Sequence, residues 1–170
     1  MKATLAVVAF TLLIPVTARA QDGKLDLSFL DRLEKIASEH ASITIDSSTL
    51  GLAGQFMPNT KESAAAKEVI AGLKGIFVRS FEFDSDNAYS TDDINAVRKQ
   101  LAGWNRIISS SEKGGDLAEV YLFQQAGKIN GITILAAERR ELTVVNIVGP
   151  IDLSKLKLLE GQFGIPTVGQ

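Results

Sequence analysis

The stretch richest in groups that could do chemistry is FEFDSDNAYSTDD, residues 81–93. Four aspartates, Asp84, Asp86, Asp92 and Asp93, fall within ten residues, and Glu82 precedes them. Clustered carboxylates suit a hard divalent cation, so a calcium loop is the first chemistry to test. Such a loop needs oxygen ligands at alternate positions, a glycine at the sixth and a bidentate glutamate at the twelfth. Counted from Asp84, the fifth position is Ala88, the sixth Tyr89 and the twelfth Asn95, so the diagnostic positions fail. A joint between a strand and a helix accounts for more of the residues. Asp84 to Asn87 have the short polar side chains of a turn. Ser90 is placed to cap a helix, and Asp92 and Asp93 would occupy its first turn, where the helix dipole favours negative charge. The expectation is a strand, a turn and a cap, with no metal ligand assigned. Asp84, Asp86 and Tyr89 stand as a candidate binding loop, Tyr89 because it is an aromatic in a polar segment. An irregular divalent-ion site is the alternative.

Other chemistry is scarce. The chain has no cysteine, which excludes thiol nucleophiles, thiolate–zinc sites and iron–sulfur clusters. Its one histidine, His40, is expected at the end of the first helix, capping it or partly buried. No serine stands in a G-x-S-x-G context for a triad with it. Glu82, Asp84, Glu119 and Glu138 could in principle supply a glycosidase-type carboxylate pair, but any acidic chain offers such pairs. Arg79 and Glu82 share a strand and differ in parity, so they point to opposite faces. Arg139 and Arg140 fall in a hairpin turn, where solvated charge is the usual reading. No glycine run forms a phosphate loop. Trp104, Tyr121 and Phe123 could mark a binding surface, with core packing the favoured account of Trp104 and Phe123. The sequence therefore assigns no catalytic residue and no cofactor.

The first twenty residues, MKATLAVVAFTLLIPVTARA, have one basic residue, an apolar run from Leu5 to Val16, and a closing Ala18-Arg19-Ala20. That order is the order of a secretory signal peptide, with cleavage expected after Ala20. The apolar run is shorter than the roughly 20 residues a spanning helix needs, so no stable membrane insertion is expected after cleavage. Residues 21–170 then form one domain, periplasmic or extracellular. Lys2 and Arg19 lie in the leader, which leaves 16 basic and 20 acidic residues beyond it. That mildly acidic balance argues against nucleic acid, which calls for a clustered basic face.

The elements that must position these groups follow from periodicity. A helix is expected from Ser28 to His40 on Leu30, Leu33, Ile36 and Ala37, then a brief strand at Ile43–Ile45. A short helix is expected over Ser48–Met57. Another begins at an Asn59/Glu62 capping box, carries Ala66, Val69, Ile70 and Leu73, and closes on a left-handed Gly75. IFVRSFEF, 76–83, is a strand with apolar residues on both faces, which suits a central position. A helix after Ser90 buries Ile94, Val97 and Leu101 and ends at Gly103. Four strands follow, 104–110, 118–124, 129–137 and 142–148, separated by EKGGD, QAGK and ERRE, so antiparallel hairpins are expected. A closing amphipathic turn or helix carries Leu153, Leu156 and Leu159. The fold class is α+β, with helices packed on one face of a mainly antiparallel sheet in a single two-layer domain.

Three stretches carry a resemblance: GLKGIFVRSFEFDSDNAYS at 72–90, EVYLFQQAGKINGITILAAERRELTVVNIVGPIDLSKL at 119–156, and GQFGIP at 161–166. Together they resemble a family of exported bacterial proteins catalogued only as domain of unknown function 4252. The likeness runs from about Leu27 to Pro166 and is strongest in VRSFEFD and ELTVVNIVGPIDL. Some members look like lipoproteins, and this chain departs from them in having no cysteine. The resemblance implies export and an α+β domain, and it carries no catalytic residue, substrate or cofactor.

The leading expectation is thus a secreted or periplasmic, non-enzymatic binding domain whose partner is another envelope protein, in envelope sensing. One alternative is an enzyme using carboxylates or a divalent ion in the 82–93 region. Another is a structural or inhibitory module that acts by strand addition, which an open, uncharged edge strand would favour.

Overall fold

The computed structural model describes residues 22–56 and 61–152. A 3-10 helix, Ser28–Lys35, leads into β1, Glu39–Asp46. Then come α1, Ser47–Phe56, α2, Lys61–Gly72, β2, Gly75–Glu82, and α3, Thr91–Gln100. The second half is β3, Asn105–Ser111, β4, Leu117–Gln125, β5, Lys128–Glu138, and β6, Glu141–Val148. The strands form one six-stranded sheet in the order β1-β2-β6-β5-β4-β3, every neighbouring pair antiparallel. The expected meander is therefore present as β3 to β6. The β4–β5 turn places Ala126 and Gly127 at φ 52° and 74°, two left-handed residues in succession as a tight hairpin requires.

The α+β class and the antiparallel sheet are as expected, but the helices lie on both faces of the sheet. On one face Leu30 and Leu33 of the 3-10 helix and Ile94 and Val97 of α3 pack on Phe81, Leu135, Leu142 and Val144. On the other, Leu50 of α1, Ile70 of α2 and Leu73 pack on Ile76, Val78, Ile132, Val145 and Ile147. The cause is written in the central strands. Along β6 every residue from Leu142 to Val148 is buried, so both parities need a cover. Full burial of each such Leu, Ile or Val side chain is worth about 1.5–3 kcal/mol relative to exposure. An N-terminal strap adds to the first face. The Leu25 N–H donates to Asn146 Oδ1 at 3.0 Å, and Asn146 Nδ2 donates to the Gly23 carbonyl at 3.0 Å.

Several expectations are corrected. The first helix ends at Lys35 because the Ser38 N–H donates to the Glu82 carbonyl at 2.8 Å, which draws the chain onto the edge of β2. Ile36, expected on the buried stripe, is 54% exposed. β1 spans eight residues where three were expected. Gly75 is not a left-handed cap but the first residue of β2. A Cβ there would come within 2.8 Å of the Phe77 ring and 3.0 Å of the Ile45 carbonyl, so close packing demands the glycine. Gly103, by contrast, does end the α3 segment with φ 87°. The signal peptide, the Asn59/Glu62 capping box and the closing helix lie outside the described residues or their side chains.

Candidate functional site: an open edge strand and an acid-lined cleft

The acid-rich joint is built as a strand end, a turn and a cap. β2 ends at Glu82, and the Phe83 N–H donates to the Arg140 carbonyl at 2.9 Å, tying the joint to the β5–β6 turn. Asn87 turns the chain with φ 61°. Asp86 accepts a hydrogen bond from Arg140 Nε at 2.6 Å, and that bond holds its carboxyl below the ordinary aspartate range. Tyr89 tilts its ring on Phe83 at 5.6 Å, and its hydroxyl donates to the Glu138 carbonyl. Asp84 is exposed. Ser90 is the N-cap of α3, and its N–H donates to Asp93 Oδ2 at 2.9 Å, the reciprocal half of a capping box. Asp93 is 3% exposed and ion-paired with Arg32. Burial alone would raise its pKa, but the Ser90 bonds and the Arg32 guanidinium outweigh it and hold the carboxyl low.

Two of the three candidate loop residues are thus committed to neighbours: Asp86 to arginine and Tyr89 to the hairpin. Among the described residues, no three His, Asp or Glu side chains are grouped so as to hold a metal ion. Three of the four carboxylate candidates share a cleft. Glu82, Asp84 and Glu138 line one cleft of about 880 Å³ at the end of β2 and the β5–β6 turn, with Arg139 and Arg140 on its wall. All three are exposed.

Glu119 is elsewhere and in a different condition. It lies on β4 facing α3 and is 3% exposed. Arg98 donates to it twice at 2.9 Å, Arg106 Nη1 at 3.0 Å and the Tyr121 hydroxyl at 2.8 Å. Burial pushes its pKa up, but those bonds and the Arg98 and Arg106 charges prevail and hold it below the ordinary glutamate value. A carboxylate that accepts four charge-rich bonds has no capacity left for a substrate proton, and its role is to lock α3, β3 and β4 together.

The remaining candidates have structural places. His40 is not at a helix end but exposed on β1, opposite Phe81 in the β2 register. The helix it was expected to cap stops five residues earlier. Arg79 donates to Asp31 at 3.1 Å. Trp104, Tyr121 and Phe123 all belong to the first core, with the Trp104 and Phe123 rings 5.1 Å apart.

The feature that residue spacing did not reveal is the outer edge of β3. All seven of its residues are exposed, including Ile107 at 52% and Ile108 at 44%. Among the described residues it pairs on one side only, with β4, and stands last in the sheet order, with a bulge between Arg106 and Ile108. From Ile107 to Ser111 it carries no charge. Natural sheets blunt such edges with charge or proline, and here neither is present past the bulge. The signal available in sequence was that NRIISSS, alone among the described strands, lacks an apolar face.

No curated protein and no solved structure matches the chain. The family described as domain of unknown function (DUF4252) matches residues 36–159, which take in every described strand and α-helix. The chain belongs to that family.

Proposed function

We propose that this is an exported, non-enzymatic interaction domain that binds protein by adding a strand to the open edge of β3. The single observation that carries the reading is the exposed, uncharged run from Ile107 to Ser111 at the end of the sheet. Main-chain groups on such an edge supply affinity, and alternate side chains supply selectivity. Export is supported by the charged, apolar and small-residue order of residues 1–20. Among the described residues, no helix is long and apolar enough to cross a membrane. An envelope protein is the partner class this placement favours.

The test is a photocrosslinking residue placed in turn at Ile108, at Ser110 and, as a control on the opposite edge, at Thr44. The reading predicts one discrete adduct from both β3 positions, lost when Ser109→Pro removes a strand N–H, and none from Thr44. Equal labelling from all three positions, or none from β3, rejects it.

A second reading is a carboxylate or divalent-cation site in the acid-lined cleft, favoured by Glu82, Asp84 and Glu138 lining the same cleft. Bound ligand must raise the melting temperature by mass action. A rise with calcium, magnesium or zinc that Asp84→Asn abolishes would favour this reading over the first.

A further inference from the structure

We propose that residues 153–159 of this chain cover the second face of the sheet over β4, with Leu153, Leu156 and Leu159 set toward Leu122, Val120 and Ile134. The width of the sheet gives the place. α1 packs on β1, and α2 packs beside α1. Packed helices lie about 8–10 Å apart and paired strands about 4.8 Å, so each helix takes the width of two strands. With α1 over β1, α2 stands over β6, two strands along in the order β1-β2-β6-β5-β4-β3, and the next position is over β4. Exposure marks the same place. One row on this face runs Val78, Val145, Ile134, Val120, Ile108, each opposed to the next in the strand register. Val78 and Val145 are buried, Ile134 and Val120 are partly exposed, and Ile108 is 44% exposed. The row loses its cover as it crosses β5 and β4.

The chain arrives beside that position. The Ile151 N–H donates to the Ile129 carbonyl at 2.9 Å, at the start of β5 and one strand from β4. Ile151 is buried in the second core with Leu122 and Ile132, the pair next to Val120 and Ile134 along the strands. Residue 153 follows two positions later. Leu153, Leu156 and Leu159 recur at every third residue, with Ser154, Lys155 and Lys157 between them, which gives one apolar stripe and one polar side. A helix would rise about 9 Å from Leu153 to Leu159, and Leu122 to Val120 spans about 6.8 Å of strand, so the stripe is long enough to reach both. The family match also runs to residue 159, which puts the segment inside the domain. A cover on the face leaves the backbone edge of β3 open and sets an apolar wall beside Ile108, where an added strand would seat one side chain. That consequence rests on the docking reading of β3, whereas the placement stands without it.

The chain has no cysteine, so paired cysteines report the placement directly. In the full mature chain, Leu156→Cys is combined in turn with Val120→Cys, with Leu52→Cys on the exposed side of α1, and with Ser42→Cys on the opposite face of the sheet. A short bismaleimide should join Leu156→Cys to Val120→Cys within one chain roughly tenfold faster than it joins either of the other pairs. Labelling of Val120→Cys by a thiol reagent should quicken about tenfold when Leu156→Asp is added, while Val144→Cys, buried on the first face, keeps its rate. A Leu156→Asp chain that unfolds altogether raises both labelling rates, and the crosslinks then decide. Equal joining of the three pairs, faster joining to Leu52→Cys, or a folded Leu156→Asp chain in which Val120→Cys labels no faster overturns the proposal. If that happens while a crosslinker at Ile108 still captures a partner, the cover fails and the edge-docking reading survives. The Val120→Cys crosslink with no capture at Ile108 gives the reverse.

Discussion

Replacing Glu119 by Gln keeps the shape of the side chain and removes its charge. The carboxylate is 3% exposed and accepts two bonds from Arg98, one from Arg106 and one from Tyr121. In the variant, an amide NH₂ faces donors, so at least one guanidinium loses its acceptor. Breaking a buried pair by removing one partner costs about 3–5 kcal/mol when both ends are buried. Here the side chains of Arg98 and Arg106 are 35% and 49% exposed and can turn to water, so the cost is about 2–3 kcal/mol. For a domain of this size that is a fall of roughly 5–10 °C in Tm. The pH dependence has a definite sign. The folded-state pKa of Glu119 is lowered, so its contribution is complete above the ordinary value of about 4.5 and is lost as pH falls through the lowered value. Thermal unfolding of Glu119→Gln and wild type between pH 7 and pH 3 is the assay. The gap should be full at neutral pH and narrow below about 4.5. A variant that melts with the wild type at pH 7, or a gap that does not narrow in acid, would refute the account of this cluster.

Other predictions follow the same logic. Asn146 is fully buried and bonds to Gly23, Leu25 and Thr133, so Asn146→Leu should cost about 3 kcal/mol and raise amide exchange at 23–27. Gly149 has φ 132°, and a Cβ there would lie 2.8 Å from the Leu73 Cα and the Lys74 nitrogen, so Gly149→Ala should destabilise by about 2–4 kcal/mol in denaturant unfolding. Asp46 caps α1, and bonds from the Ser48 hydroxyl and the Thr49 N–H hold its pKa at about 2. Its carbon resonance should therefore titrate with a midpoint near 2, and the helix-capping contribution should persist in mild acid and fade only toward that pH.

How much of this was legible depends on the range of the interaction. The α3 cap was readable because Ser90 and Asp93 are three residues apart and act on each other. The hairpins were readable because turn residues and strand residues alternate along the second half of the chain. The core role of Phe123 followed from its position on a strand, and that of Trp104 from its place at the start of one. The length of β1 was not readable, because Glu39–Ser42 carries no apolar alternation and is held only by pairing with β2, some forty residues away. His40 moved from a helix end to an exposed strand for the same reason. The packing of helices on both sheet faces was foreshadowed by the two apolar parities of β2, which called for two covers. The cleft shared by Glu82, Asp84 and Glu138 needs β6 inserted between β2 and β5, a fact of topology and not of spacing. Glu119 looked like one acid among many until Arg98 and Arg106 were brought onto it by the packing of α3 and β3. The β3 edge is legible only once the sheet order is known, since NRIISSS in the middle of a sheet would offer nothing to a partner.

The most direct test of the central claim is residue-resolved amide hydrogen exchange on the full mature chain, with and without the partner that crosslinks at Ile108. Strand addition at β3 predicts slowed exchange concentrated in residues 107–111, with β1 unchanged. Slowed exchange at the cleft, in residues 82–86 and 138–141, with β3 unchanged, would contradict the account and move the functional surface to the acidic end of the sheet.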